Sequence, residues 1–344
     1  MNMCYAYGNL PDEIKLSLSN ANVFFSEEYY LNVLNRGQKQ LFLWSDRFIL
    51  VARIKSKFFL KCALLESEPF RYDGINDEDD NIVLKDFLNQ VMVELKKEKI
   101  TWTITTNTSR FQAYPDNSKC ILSGNYIIDL TLSEEELWQK VHSKHRNSIR
   151  RGEKSNLTFK VGDIDLVEEY TGMANETYKR SGGNETDSKY YFSLIEKLDK
   201  KSRIVIAYKN SVPQAAGMFI FNKKIAYYLH GASVARPEPG STNYLLWKTI
   251  IDMKNCGIEK FSFVGYHFNP EAGSKLEGIQ NFKSRFGGYL EQCYSFKFIH
   301  KPFCYKMYCF AMRLRSGKIT KKYQDAIDTQ INNFKEVDGI LVQK

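Results

Sequence analysis

The sequence predicts an α+β (α/β) protein of two mixed-sheet domains packed side by side. Three observations carry this. The chain has 344 residues, and a single hydrophobic core tends to stop growing at roughly 250–300. The order strand–helix–helix–three strands–helix–strand occurs clearly once, in the second half, and a fainter strand-then-helix version precedes it. Third, Asn281-Phe-Lys-Ser-Arg-Phe-Gly-Gly288 sets a lysine between two aromatics on a short amphipathic turn closed by a glycine pair. It follows a helix opening at Gly240-Ser-Thr-Asn-Tyr-Leu-Leu-Trp247 and an apolar strand, Lys260-Phe-Ser-Phe-Val-Gly265. Loop, helix, strand and lysine turn in that order predict a cleft at the end of a sheet, with one cation near its chemistry. The expected division is residues 1–126 for the first domain and 127–302 for the second.

In order along the chain, Ser26 caps a short helix carrying Tyr30, Val33 and Leu34. Residues 40–44, 48–54 and 58–65 are apolar runs joined by polar turns and read as consecutive strands. An acidic loop spans 73–80, and Leu84, Leu88, Val91 and Leu95 then keep helical spacing. Strands follow at 100–106 and 126–130. Ser133 and Glu136 form a capping box for one long helix with Leu137, Val141 and Ile149 on its buried side. Its other residues are basic, and Gly152 is its expected C-cap.

Leu157, Phe159 and Val161 alternate as a strand, and helices follow from 166 to 178 and after the cap Asp187. Strands at 203–208, 214–221 and 224–231 are joined by connections short enough for antiparallel hairpins. A Pro/Gly loop, a helix over 242–255 and a strand over 260–265 come next; the helical crossover makes that strand parallel to an earlier one. Residues 287–299 form one more extended run. After Pro302 the chain is expected to be helical to its end, with Tyr305, Met307, Tyr308, Phe310 and Met312 supplying apolar contacts.

Composition narrows the function classes. With 43% hydrophobic and 14% aromatic residues, the chain can build cores and is not a disordered segment. The net charge of +9 favours anionic partners: nucleotide phosphates, tRNA or an anionic lipid surface. The seven cysteines are an odd number with no CxxC spacing, which reads as reduced core thiols. No metal site is expected: His142 and His145 lie three apart but among lysines and arginines that would repel a cation. There is no basic-then-apolar leader and no apolar run of 18 residues, so the expectation is a cytoplasmic protein without a transmembrane segment, with peripheral membrane contact allowed.

Four pieces in order, Leu137-Trp-Gln-Lys-Val-His-Ser-Lys-His-Arg-Asn-Ser-Ile-Arg-Arg151, Ala215-Ala-Gly-Met-Phe-Ile220, Tyr244-Leu-Leu-Trp247 and Phe282-Lys-Ser-Arg-Phe-Gly287, resemble the GNAT acyltransferase superfamily, specifically its FemAB/FemX-like branch. The likeness extends over residues 127–300; the N-terminal half fits only in its order of elements. The resemblance implies two GNAT-like domains, with residues 303–344 returning to the first. It implies transfer of an aminoacyl group from tRNA to an amine of a peptidoglycan precursor. No tightly bound cofactor is implied; the co-substrate is aminoacyl-tRNA or acyl-CoA. Two departures stand out. The coiled-coil arm of some members is absent, as in the shorter FemX-type form. The usual pyrophosphate loop, Q/R-x-x-G-x-G/A, is replaced by Arg236-Pro-Glu-Pro-Gly240.

Candidate residues follow. Lys283 would stabilise the negative oxygen that develops as an amine attacks an acyl carbon, and the resemblance implies the same role. Phe282, with Ile279 and Phe286, would pin its turn. Tyr244 sits in the first turn of its helix, where donor or acceptor groups can be bonded and anions are favoured. His230, at a strand end beside Gly231, is placed to accept the amine proton; Tyr228 and Tyr266 are weaker versions of the same argument. Lys144, Arg146, Arg150 and Arg151 form a candidate phosphate clamp, since guanidinium forks match phosphate oxygens. Glu271 and Glu277 are the available carboxylates near the lysine turn. No Ser–His–Asp or Cys–His constellation is readable, so direct attack on a bound donor is the expected mechanism.

The expected acceptor is an anionic, nucleotide-linked or lipid-linked envelope precursor. Two rivals remain at this level: a CoA-dependent N-acetyltransferase acting on an amino sugar, and a non-catalytic nucleic-acid-binding protein. The second would need exposed aromatics on a basic sheet face, and most strand aromatics here alternate inward.

Overall fold

The computed structural model describes residues 3–343 except 9, 19–20, 73–79, 269, 271, 316–322, 332–333 and 338–339. The first half runs β1 (Cys4–Tyr7), α1 (Asp12–Ser17), α2 (Glu27–Asn35), β2 (Lys39–Trp44), β3 (Phe48–Lys57), β4 (Leu60–Leu65), β5 (Phe70–Arg71), α3 (Asp80–Lys97) and β6 (Trp102–Thr105). The Ser26 hydroxyl accepts from Tyr29 N and caps α2, as its position predicts.

The long strand β7 (Lys119–Asp129) leads into the second half: α4 (Glu134–Lys140), α5 (Ser143–Lys154), β8 (Thr158–Gly162), α6 (Val167–Arg180), α7 (Ser188–Leu198), β9 (Ser202–Lys209), β10 (Val212–Phe221), β11 (Ala226–Ser233), α8 (Ser241–Asn255), β12 (Lys260–Ser262), β13 (Tyr266–His267), α9 (Lys275–Ser284) and β14 (Tyr289–Ile299). The chain closes with α10 (Pro302–Arg315), α11 (Ala326–Ile331), β15 (Phe334–Val337) and β16 (Ile340–Gln343).

Fourteen of the described strands form one mixed sheet, ordered β1-β2-β3-β4-β6-β14-β7-β12-β11-β10-β9-β8, with β5 on β3 and β13 on β7. Each half repeats one plan. Antiparallel strands lead to a single parallel pair, β4 with β6 and β11 with β12, whose members are joined through a helical crossover, α3 or α8. The halves are sewn together by β14, which pairs with β7 over Tyr289–Lys297 and with β6 at Lys297–Ile299.

Helices cover both faces. Val33 of α2 shares a core with Tyr170 of α6, Leu194 of α7 and the inward side of β9–β11, so this core is built from both halves. Leu137, Ile149 and Trp247 from α4, α5 and α8 cover the other face of the second half. Phe87 and Val91 of α3 cover that of the first half. Tyr305 of α10 packs with Trp102 and Cys62, which returns the C-terminal helices to the first half as the resemblance implies.

Several expectations change in detail. The single helix over 133–152 is two helices. The capping box is present, but α4 ends at Val141 and His142 caps a new helix, its Nδ1 accepting from Lys144 N. Gly152 is not the C-cap; it lies buried inside α5, where the β-carbon of Tyr244 packs against it. Strand β7 starts seven residues earlier than its apolar run, because its N-terminal part is held by β14 and not by its own hydrophobic pattern. The chain after Pro302 is not helical throughout, since β15 and β16 pair as a hairpin near its end. Cys4 and Cys256 are exposed and so are not core thiols. Residues 73–79 of the acidic loop lie outside the described residues.

Candidate functional site

The site is made where the parallel pair of the second half comes apart. Only Ala226↔Phe261 and Tyr227↔Ser262 pair β11 with β12. Beyond them β11 stays on β10 to Ser233, whereas the chain after β12 turns away. Val264 and Gly265 take φ of 43° and 41°, a conformation rare for a β-branched residue. The turn is held from the neighbouring elements: Gly265 N–H is shared by Asn107 O at 2.9 Å and Asn125 Oδ1 at 3.0 Å. Val264 and Gly265 thus stand two and three residues past the last β11–β12 pair, where the strands separate.

Lys283 fills that position. Helix α9 starts at Ser274, whose hydroxyl accepts from Glu277 N, and Lys283 lies in its last turn. The ammonium donates to Val264 O and, at 2.6 Å, to Gly265 O. Burial draws its pKa down to about 8, while the two carbonyl acceptors favour the charged form. The group is a half-buried cation anchored on one side by main-chain oxygens.

The turn that delivers Lys283 is fixed by α5. His145 is buried, its Nε2 lies 3.0 Å from Phe282 O, and its ring packs against Phe282 and Phe286 at 5.0 and 4.7 Å. Burial pushes its pKa down to about 4, so the imidazole is neutral and donates to that carbonyl. His142 N adds a bond to Arg285 O at 2.9 Å. The glycine pair then lets the chain pass between α4 and β7. A β-carbon on Gly287, whose φ is 86°, would sit 2.5 Å from Lys140 O, and one on Gly288 would sit 2.2 Å from Ile127 O.

His230 and Tyr266 lie beside the same wedge. His230 is three residues past the last β11–β12 pair, with its ring 6.5 Å from Tyr190 and 6.4 Å from Tyr191. Burial pushes its pKa down to about 4, so it is neutral near pH 7. Tyr266 follows Gly265 directly and packs near Tyr126 at 6.3 Å. His230 thus stands on the α7 side of the strand end, whereas the turn bearing Lys283 packs through Phe282 and Phe286 on α5.

Other candidates are drawn into packing. Tyr228 stacks on Phe219 at 5.2 Å and lies over Gly231, and burial raises its pKa. Tyr244 is 8% exposed and sits between α8 and α5. The basic helix divides. Arg146 donates to the carbonyls of Gln139 and Val141 at 3.1 and 2.7 Å and so caps α4. Arg150 lies 5.4 Å from the Trp138 ring, and Lys144 and Arg151 are exposed. Glu277 bonds Gly273 N at 2.7 Å in the first turn of α9; Glu271 lies outside the described residues.

The start of α8, where anions would be expected, is covered. Gly240 is pressed against α5 so closely that a β-carbon there would lie 2.3 Å from Ser148 O. The preceding Glu238 accepts from Lys209 and from Ser155.

Sequence reasoning missed the groups that shape the wedge from the other half. Asn125 is buried on β7; besides Gly265 it reaches Ser109 O through Nδ2 at 3.3 Å. Arg110 links Glu68 and Glu291 at 2.7 and 2.8 Å. A lone asparagine inside a strand carries no sequence signal; only register places it. A cavity of about 810 Å³, bordered by Lys15, Phe25, Lys201, Lys223 and Glu259, lies at the opposite ends of β11 and β12, away from Lys283. Among the described residues no group of three or more His, Cys, Asp or Glu could hold a metal ion, and no helix is long and apolar enough to cross a membrane.

With this geometry in hand, known proteins can be compared. The model of the FemAB family matches residues 61–211 and 207–313. The crystal structure of FemX superposes with a TM-score of 0.65 at 13% identity, over 89% of this chain and 99% of that one. The C-terminal domain of a protein assigned as a lysylphosphatidylglycerol synthetase from Agrobacterium fabrum gives 0.54 at 14% identity, over 83% and 90% of the two chains. A conserved protein of unknown function from Bacteroides thetaiotaomicron gives 0.51 at 13% identity, over 83% and 95%. At such identities these structures speak to the fold alone. No curated protein matches the sequence.

Proposed function

From the premise that this chain belongs to the FemAB family and is an acyltransferase, we infer that it moves an aminoacyl group from aminoacyl-tRNA to an amine of a peptidoglycan-type precursor in the cytoplasm. Residues 127–302 carry the chemistry, and 1–126 with 303–344 form the other unit.

The observation that carries this reading is the Lys283 ammonium, held by two carbonyls at the mouth of the β11–β12 wedge. The acceptor nitrogen attacks the acyl carbon and a C–N bond forms. The carbonyl oxygen becomes negative, and Lys283 offers its remaining proton to it. Collapse breaks the ester C–O bond to the tRNA ribose, and the departing oxygen takes up a proton as the amine loses one. Neutral His230, three residues past the last β11–β12 pair, is the base we assign to receive the amine proton. Exposed Lys144 and Arg151 are left to contact donor phosphates, since Arg146 is occupied in capping α4.

The donor assignment draws support from the covered start of α8. A CoA pyrophosphate held there would need open N–H groups, and α5 and the Glu238 carboxylate crowd that place. The test is mass spectrometry of reactions containing an envelope precursor with either charged tRNA or acetyl-CoA. An aminoacyl mass gain with charged tRNA, absent from Lys283→Ala, is the expected result. An acetyl gain on an amino sugar with acetyl-CoA would replace this reading by the rival N-acetyltransferase.

A further inference from the structure

Far from the wedge, two exposed apolar features share one side of the first half. The first is the turn between β3 and β4. Lys57 pairs with Leu60, so Phe58 and Phe59 are the two turn residues. They are 90% and 64% exposed, and Phe58 has φ of 54°. A two-residue hairpin with positive φ at its first turn position favours glycine there. A bulky aromatic in that conformation costs stability and gains no packing, which points to a role outside the folded chain.

The second is α10. Its Tyr305, Tyr308 and Cys309 pack with Trp102 and Leu60. Phe303, Met307, Phe310 and Leu314, spaced four, three and four residues apart, form a stripe on the opposite side; Phe303 is 74% and Phe310 57% exposed. The sequence pattern assigned Met307 and Phe310 to internal contacts, and the helix instead has two apolar faces, one of them uncovered. Because Leu60, next to the tip, belongs to the cluster under α10, the tip and the helix lie on the same side of the sheet.

Charge identifies the partner. Segment 55–61 and helix α10 contain no carboxylate; Lys57 and Lys55 pair with Leu60 and Cys62 beside the tip, and α10 itself carries Lys306 and Arg315. Apolar side chains flanked by cations suit the boundary of an anionic bilayer, where rings enter the acyl region and ammonium groups meet phosphates. We propose that the Phe58–Phe59 turn and the Phe303–Leu314 stripe of α10 form a docking face for an anionic phospholipid surface.

The experiment is co-sedimentation of the full chain with phosphatidylglycerol–phosphatidylcholine vesicles and with phosphatidylcholine vesicles alone. Two variants accompany the wild type: Phe58→Gly/Phe59→Ser, which supplies residues the turn prefers, and Phe303→Ser/Phe310→Ser. Wild type should partition onto the anionic vesicles, less so at high salt, and each variant should lose roughly tenfold or more in partition coefficient. Turnover of a soluble acceptor should be unchanged in both. No binding by wild type, or equal binding by all three proteins, overturns the proposal. So does a concentration-dependent dimer that the same substitutions dissolve, which would give the stripe to a second copy of the chain.

Discussion

At the scale of single residues, the chemistry turns on the protonation of one amine. Lys283 can stabilise a developing oxyanion only while it carries a proton, and burial has brought its pKa to about 8. The plot of kcat/KM against pH should therefore fall above about pH 8. Lys283→Arg, whose guanidinium stays charged, should lack that limb even if its peak is lower. Lys283→Ala should lose about 100- to 1,000-fold in kcat, the range seen when one oxyanion donor is removed. A smaller loss with an unchanged profile would leave the ammonium a structural bond to Val264 and Gly265. Asn125 acts one step back. Asn125→Ala leaves Asn107 O as the remaining acceptor for Gly265 N–H and leaves a small cavity in a buried strand, at about 1–3 kcal/mol. Its distinguishing mark would be a shift of the basic limb, since the carbonyls that hold Lys283 move with the turn.

At the scale of elements, the turn that delivers Lys283 was readable from its order of aromatic, lysine, aromatic and glycine pair, whereas helix α9 leading into it was not expected. The reason for the glycines was not readable. They serve a close passage beside Lys140 O and Ile127 O, which only the packing of α4 and β7 creates. Gly288→Ala should therefore lower the thermal midpoint and the rate together, while Ser284→Ala, on the exposed side of the same turn, should leave both nearly unchanged. The broken helix over 134–154 has a similar cause. Local pattern predicts one helix, but Arg146 takes the C-terminal carbonyls of α4, and Arg285 O takes the N–H of His142. The first contact is local but needs the break to exist before it can form, and the second is tertiary, 143 residues away, so no local window contains it. For the same reason the phosphate clamp read from Lys144, Arg146, Arg150 and Arg151 divides by direction: spacing places arginines on a face, but not what that face meets.

At the scale of the whole molecule, the order of elements carried the tandem plan, and the joint between the halves escaped it. That joint is β14, and its far end holds Lys297, a lysine with no solvent exposure. Its ammonium meets Asp325 at 2.6 Å and Asp328 at 2.7 Å, and lies 3.1 Å from the Tyr305 hydroxyl. Nothing in the alternation of Tyr289–Ile299 marks this residue, because its partners come from the end of the chain. The cluster ties α10 and α11 to the centre of the sheet. Removing Lys297 takes the buried cation from Asp325 and leaves Asp328 with only the exposed Lys119 at 3.3 Å, so Lys297→Met should cost about 3 kcal/mol in chemical denaturation. Asp325→Asn/Asp328→Asn added to Lys297→Met should return part of that loss. The acid limb gives an independent reading. Burial alone would raise the Asp328 pKa, yet Lys297, with Lys119, holds it below the ordinary carboxylate range. A folded value lower than the unfolded one means stabilisation that is present above about pH 4 and disappears as pH falls through the folded value. Wild type should thus lose stability more steeply than Lys297→Met as the solution is acidified below pH 4. Parallel acid limbs, or a Lys297→Met chain as stable as wild type, would show that the sheet holds its C-terminal helices by apolar packing on Trp102 alone.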